Sequence, residues 1–217
     1  MTDFYFVRHG QTEWNLERRF QGGSGDSALL PSSYDDMARL GRYLAPVHFD
    51  HIYSSPLKRA LVTANRVSKY LKPIQNVSVR SALSEVGLGQ WEGMLVRDVQ
   101  QKYPEAYDTY RHDLDHFEGQ GFDGEGYTHT AQRFARFING LAAQYPNDKI
   151  LIVSHGMALS FGINALLQQP RMSIRERGGL SNTSTTILTT SDAQHYTVKK
   201  WNDISYLNKV ADETTTI

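Results

Sequence analysis

Two histidines, two arginines and a glutamate follow short apolar runs in this 217-residue chain. Arg8 and His9 come after Phe4-Tyr5-Phe6-Val7, and Arg59 lies just beyond His51-Ile52-Tyr53. Glu85 follows the run from Asn76 to Arg80, and His155 follows Ile150-Leu151-Ile152-Val153-Ser154. That set is an inventory for phosphoryl transfer. A phosphate monoester is doubly charged near neutral pH, and arginine offers it planar, permanently charged, bidentate donation. A neutral imidazole is a nucleophile at pH 7 that needs no metal and no second base. A carboxylic acid can protonate the departing alkoxide, and its conjugate base can then draw a proton from water.

These groups converge only if the apolar runs are parallel strands, because ligands of an open α/β sheet bind beyond the carboxyl ends of its strands. The pattern supports that reading. Lys149-Ile150-Leu151-Ile152-Val153 is apolar almost throughout, as in a strand covered on both faces. Tyr34 to Leu44 has helical periodicity, with Met37, Leu40 and Leu44 on one stripe. Ser54-Ser55-Pro56 predicts a helix start with serine at the N-cap and proline at the first helical position. Leu57, Ala60, Leu61, Ala64, Val67 and Leu71 then form its core face, which Pro73 ends. Thr128 to Tyr145 and Gly156 to Leu167 predict two further helices, and Thr185–Thr190 with Tyr196–Trp201 a closing pair of strands. Arg18 to Ser33, Leu83 to Gly93 and the glycine-rich stretch Gly119 to Gly126 read as loops, and Val96 to Glu118 as two short helices broken near Pro104. Ala211 to Ile217 reads as a frayed end. The expectation is a three-layer α/β/α fold with a mostly parallel central sheet, one domain over residues 1–217. A helical insertion at about 92–126 would cap the carboxyl end of the strands.

Composition narrows the function classes. Lysine plus arginine equals aspartate plus glutamate, 23 of each, so no polybasic surface points to nucleic acid or membrane. The chain has no cysteine, which excludes disulfides, thiolate metal sites and a cysteine nucleophile. No signal-peptide pattern and no membrane-length apolar run is seen, so a cytoplasmic enzyme is expected. His112 and His116 have the i,i+4 spacing of metal ligands, but no glutamate follows His112 and no third ligand is evident. A solvated face is expected there, and no metal. His155 alone would read as a buried core histidine. Arg59 alone would read as a solvated first-turn residue, in conflict with the helix dipole unless an anion binds there. Trp14 and Trp91 read as packing residues.

The string Arg8-His9-Gly10-Gln11-Thr12-Glu13-Trp14-Asn15 resembles the signature of the histidine phosphatase superfamily, the phosphoglycerate mutase-like family. Further landmarks occur in that family's order: Arg19-Phe20-Gln21-Gly22, Ser54-Ser55-Pro56-Leu57-Lys58-Arg59-Ala60, Leu83-Ser84-Glu85, Gly89-Gln90-Trp91-Glu92-Gly93 and Val153-Ser154-His155-Gly156. The resemblance implies that His9 is the phosphorylated nucleophile and that Arg8, Arg59 and His155 form the phosphate pocket. It makes Glu85 the proton donor, ahead of the rival carboxylates Glu13, Glu92 and Glu125. Asn15, Gln21 and Gly22 match positions that reach the phosphate or substrate. The family chemistry needs no metal or organic cofactor, and the implied partner is a small phosphorylated metabolite. A homodimer is kept open beside a monomer.

The chain departs from the family pattern in substrate-facing places. Where an Asp-x-Pro-Leu-Thr segment is usual it reads Asp26-Ser27-Ala28-Leu29-Leu30-Pro31, and where Gly-Glu-Ser is common it reads Gly124-Glu125-Gly126. Phe20-Gln21-Gly22-Gly23 and the run Glu85 to Gly93 both differ from the mutase branch. The expectation is therefore a phosphatase, with a phosphoglycerate mutase as the alternative. A non-catalytic phospho-ligand module is the reading from a third class, and the presence of all five groups stands against it.

Overall fold

The computed structural model describes residues 1–73 and 76–208. Six strands form one sheet: β1 (Thr2–Arg8), β2 (His51–Ser54), β3 (Val77–Val79), β4 (Lys149–Ser154), β5 (Thr185–Thr190) and β6 (Tyr196–Asp203), in the order β3-β2-β4-β1-β5-β6. The pairings β3·β2, β2·β4 and β4·β1 are parallel, and those made by β5 are antiparallel. Four parallel strands therefore end at one rim, as the parallel reading requires.

Alternation along the strands divides the core. Phe4, Phe6, Ile150 and Ile152 face helices α6 (Tyr127–Gln144) and α7 (Gly156–Leu166), packing on Phe134, Ile138, Leu141, Leu159 and Ile163. Val7, Ile52, Leu151 and Val153 face helices α2 (Pro31–Leu44) and α3 (Lys58–Ser68), packing on Met37, Leu40, Leu44, Ala60, Ala64 and Val67. The result is the three-layer arrangement that a doubly apolar strand demands.

The insertion makes a third core. Helices α4 (Val96–Lys102) and α5 (Pro104–His112) carry Val99 and Tyr110 into a cluster with Phe20, Trp91, Phe117 and Phe122. Val86 and Leu88, beyond β3, and Met157 and Phe161, in the first turns of α7, complete it. The cap thus sits against segments that leave the carboxyl ends of the strands. Gly89 shows how close this packing is: its φ is +47°, and a Cβ there would lie 2.1 Å from the Phe122 carbonyl oxygen.

Several boundaries differ from expectation. Helix α2 begins at Pro31, inside the predicted loop, because proline is preset for the first helical turn. Helix α3 begins at Lys58 with Leu57 as N-cap, not at Pro56 behind Ser55. Ser55 stays in line with the sheet, its N–H donating to the Val153 carbonyl (3.0 Å). Short helices α1 (Glu13–Leu16) and α8 (Ser173–Arg177) were not expected. Too brief to show a period, α1 is held by a capping box between Thr12 and Asn15. A 3-10 turn at Ser81–Leu83 leads into the loop from Leu83 to Gly93, which contains a second at Gly89–Trp91. The end read as frayed, Ala211 to Ile217, lies outside the described residues.

Candidate active site

Strand β1 delivers Arg8 and His9 to the rim beside His155, which ends the neighbouring β4. The His9 N–H donates to the Ser154 carbonyl (3.0 Å), extending the parallel ladder by one residue. From the other side Thr183 N–H reaches the Arg8 carbonyl (3.0 Å), and Asn182 Nδ2 donates to the His9 carbonyl (3.0 Å). The backbone that carries His9 is therefore clamped on both edges. Its side chain is only 3% exposed.

The His9 ring has a defined tautomer. Nδ1 lies 2.7 Å from the Gly10 carbonyl oxygen, which can only accept, so Nδ1 carries the proton and Nε2 holds the lone pair. Burial, and then the charges of Arg59 and Arg8, hold the ring well below its ordinary pKa of 6.5. The imidazole is neutral at pH 7, as nucleophilic attack requires. His155 lies next to it, with ring centroids 5.1 Å apart, and is held low by burial, Arg59 and His9. Its Nε2 is 2.7 Å from Ser55 Oγ, while Nδ1 is buried with no protein partner.

The two guanidiniums lie within electrostatic reach of these rings. Arg8 donates to the Leu180 carbonyl, and burial lowers it to about 10, so it stays charged at neutral pH. Arg59 on the first turn of α3 is 1% exposed. Its Nη1 donates to the Gly25 carbonyl (2.8 Å) and Asp26 Oδ1 (3.1 Å), and its Nη2 to the Gly22 carbonyl (2.9 Å). Its Nε–H is buried without a protein acceptor. Two buried cations, one close enough to lower the other's pKa, with an unused donor on Arg59, favour an anion beside them.

Glu85 completes the group. It feels both Arg8 and Arg59, and its carboxylate accepts from the N–H groups of Val86 (2.9 Å), Met157 (3.2 Å) and Ala158 (2.8 Å). It sits at the N-terminus of α7 and fills the cap that His155 does not supply. Burial raises its pKa above 4.5, more than these donors and Arg59 lower it. Beside it opens a cleft of about 590 Å³, bordered also by Gly23, Ser24, Glu125, His129 and Arg133.

The structure thus brings Arg8, His9, Arg59, Glu85 and His155 together. The other three predicted residues stand behind them. Asn15 Oδ1 accepts from Thr12 N–H and Thr12 Oγ1, and lies 3.4 Å from Asn182 Nδ2. Gln21 bonds Thr12 and Ser27, and Gly22 meets the group through its carbonyl on Arg59. His112 and His116 do not converge, each bonding its own aspartate, Asp108 (2.8 Å) and Asp113 (2.7 Å). Among the described residues no three histidine, aspartate or glutamate side chains are grouped to hold a metal. No described helix is long and apolar enough to cross a membrane.

Five participants escaped the sequence reading. Ser55 meets His155, and Thr63 Oγ1 receives the Gly10 N–H (3.0 Å). Asn182 and Thr183 support β1, with Thr183 at a φ of +63°. Tyr110 of the insertion lies within electrostatic reach of Arg8 and bonds Arg175. The polar run Ser181-Asn182-Thr183-Ser184 before a strand was the one available signal for any of them.

Known proteins resemble this chain in sequence as well as in fold. The phosphoserine phosphatase 1 of Hydrogenobacter thermophilus is 32% identical over 169 residues, covering 77% of each chain. The phosphoglycerate mutase-like protein 4 of Arabidopsis thaliana is 29% identical over 207 residues, 94% of this chain and 86% of its own. The structure of Bacillus stearothermophilus YhfR superposes with a TM-score of 0.87 at 30% identity, covering 95% of this chain and 99% of that one. The family pattern of the histidine phosphatase superfamily (branch 1) matches residues 4–204, and the chain belongs to that superfamily.

Proposed function

We propose that the chain is a phosphatase that hydrolyses phosphate monoesters of a small metabolite through a phosphohistidine at His9. The observation that carries this reading is the His9 ring, neutral, with its Nε2 lone pair free and two buried arginines within electrostatic reach. Nε2 attacks phosphorus, and the bond from phosphorus to the ester oxygen breaks while Arg8, Arg59 and His155 hold the phosphoryl oxygens. Glu85, whose pKa burial raises, gives its proton to the departing oxygen. The resulting carboxylate then takes a proton from water, whose oxygen attacks phosphorus. The bond from phosphorus to Nε2 breaks, inorganic phosphate leaves and His9 is restored. No cofactor takes part in either half.

Asn15, Gln21 and Gly22 belong to this proposal as the loop that shapes the phosphate side, Gly22 through Arg59. The similarity to a phosphoserine phosphatase supports a hydrolase, and a cytoplasmic metabolite suits the chemistry. The competing reading, a phosphoglycerate mutase, returns the phosphoryl group to a second hydroxyl instead of water. A mixed assay separates the readings. Wild type should release phosphate from nitrophenyl phosphate far above a His9→Ala background, without interconverting the phosphoglycerates. Turnover retained in His9→Ala removes the mechanism, and efficient interconversion removes the hydrolase.

A further inference from the structure

Arg133, on the inner face of α6, stands behind Glu85 with every side-chain nitrogen committed. Its Nη1 donates to the Ala82 carbonyl (2.8 Å) and its Nη2 to the Glu85 carbonyl (3.2 Å). Nε and Nη2 grip the Glu125 carboxylate side-on at 2.7 and 2.8 Å. Glu125 in turn accepts from the Gly87 N–H through Oε2 (3.2 Å), and its own N–H donates to the Gly87 carbonyl (2.6 Å). The Arg133–Glu125 pair therefore bolts the backbone at residues 82, 85 and 87, on both sides of Glu85. Meanwhile the N-terminus of α7 aims the Glu85 side chain.

We propose that Arg133, through Glu125, is a positioning residue that holds Glu85 at the reach needed to protonate the departing oxygen. The inference rests on the acid role of Glu85 proposed above. Three features distinguish a brace from a substrate clamp. The guanidinium is planar and its bonds to protein run in two directions, so it orients backbone in a way that a lysine cannot. Its charge is matched by the bidentate carboxylate and its nitrogens are all bonded to protein, which favours a brace over a hold on substrate. Moreover, the bond to the Glu85 main chain leaves the carboxyl itself to the donors of α7. A small displacement of the acid is costly, since about 1 Å of misplacement can cost on the order of 100-fold.

The experiment measures kcat/KM, which reports steps through loss of the leaving group, for glycerol phosphate, nitrophenyl phosphate and dinitrophenyl phosphate. Wild type, Arg133→Ala, Arg133→Lys, Glu125→Gln, Glu85→Gln and the double variant Arg133→Ala with Glu85→Gln are compared. Arg133→Ala should lose about 10- to 100-fold on glycerol phosphate and less than about threefold on the dinitrophenyl ester. In the Glu85→Gln background the same change should cost less than about threefold on every ester, because neighbours acting through one group are non-additive. Arg133→Lys should recover part of the loss, and Glu125→Gln should show the same dependence on leaving group. Should Arg133→Ala fail to fold, the lysine and Glu125→Gln variants decide, and a uniform loss in both overturns the proposal. An undiminished Arg133 effect in the Glu85→Gln background also overturns it, since Arg133 would then be acting on substrate directly. If Glu85→Gln alone loses equally on all esters, the acid assignment fails and this inference with it. A steep profile in Glu85→Gln with a flat one in Arg133→Ala removes only the inference.

Discussion

The two halves of the site are built by different means. On the side proposed for the phosphate, His9 and His155 extend core strands β1 and β4, and backbone hydrogen bonds on both edges of β1 hold His9. On the side proposed for the leaving group, Glu85 belongs to an irregular loop under an aromatic cap, placed by a helix N-terminus and by side chains from α6 and the insertion. The rim inherits its geometry from the sheet. Glu85 is positioned by contacts that a different insertion would make differently. Changes on the rim should therefore slow every ester alike, and changes behind the acid should discriminate between leaving groups.

Arg59→Met gives the largest expected contrast with that second behaviour. Removing a buried charge proposed to hold the phosphoryl group should lower kcat/KM by about 100- to 1000-fold. The same factor should appear for glycerol, nitrophenyl and dinitrophenyl esters. A loss that grows with leaving-group basicity would place Arg59 on the wrong side of the comparison.

The cap side can be broken through its core. Trp91 is wholly buried and stacks on Phe122 with ring centroids 4.2 Å apart. Trp91→Ala should cost about 3–5 kcal/mol of stability by urea denaturation. The folded fraction should lose less nitrophenyl phosphatase activity than Arg59→Met does. An equal or greater loss would show that the two halves are not separable.

The smallest effect concerns pH. His9 and His155 are depressed in the folded state by burial, and next by Arg59, so the unfolded chain binds more protons near the ordinary value of 6.5. The stability they contribute is present above pH 6.5 and lost as pH falls below it, by up to about 1.4 kcal/mol per pH unit for each group. Glu85, raised by burial, works in the opposite sense, its share being lost as pH rises through its folded value. Urea midpoints should fall on the acid side, and His155→Gln should make that fall shallower. An unchanged slope in the variant would mean that His155 does not enter the folded state neutral.

Legibility in the sequence follows the same division. Phe4–Val7 and Ile150–Val153 are apolar on both faces, so strands, layers and the residues that end them could be read directly. Contacts that cross the fold could not. Ser55 has the composition of an N-cap, yet it remains in line with β2 beside His155, which moves the start of α3 to Lys58. Asn182 looks like a turn residue until β5 pairs with β1 and brings it to the His9 carbonyl. Arg133 sits within an amphipathic helix, and nothing in its neighbours along the chain announces the Glu85 loop. Spacing encodes periodic elements, whereas side chains that brace backbone far along the chain are settled only when the layers pack.

The central claim is that His9 carries the phosphoryl group. The direct measurement is a rapid-mixing experiment with dinitrophenyl phosphate, quenched in alkaline detergent, where phosphohistidine survives, followed by peptide mass spectrometry. The account predicts one phosphoryl group per chain at most, on the peptide containing His9, attached to Nε2 and absent from His9→Ala. A label on any other residue, or turnover at the wild-type rate with no labelled enzyme at any mixing time, would contradict it.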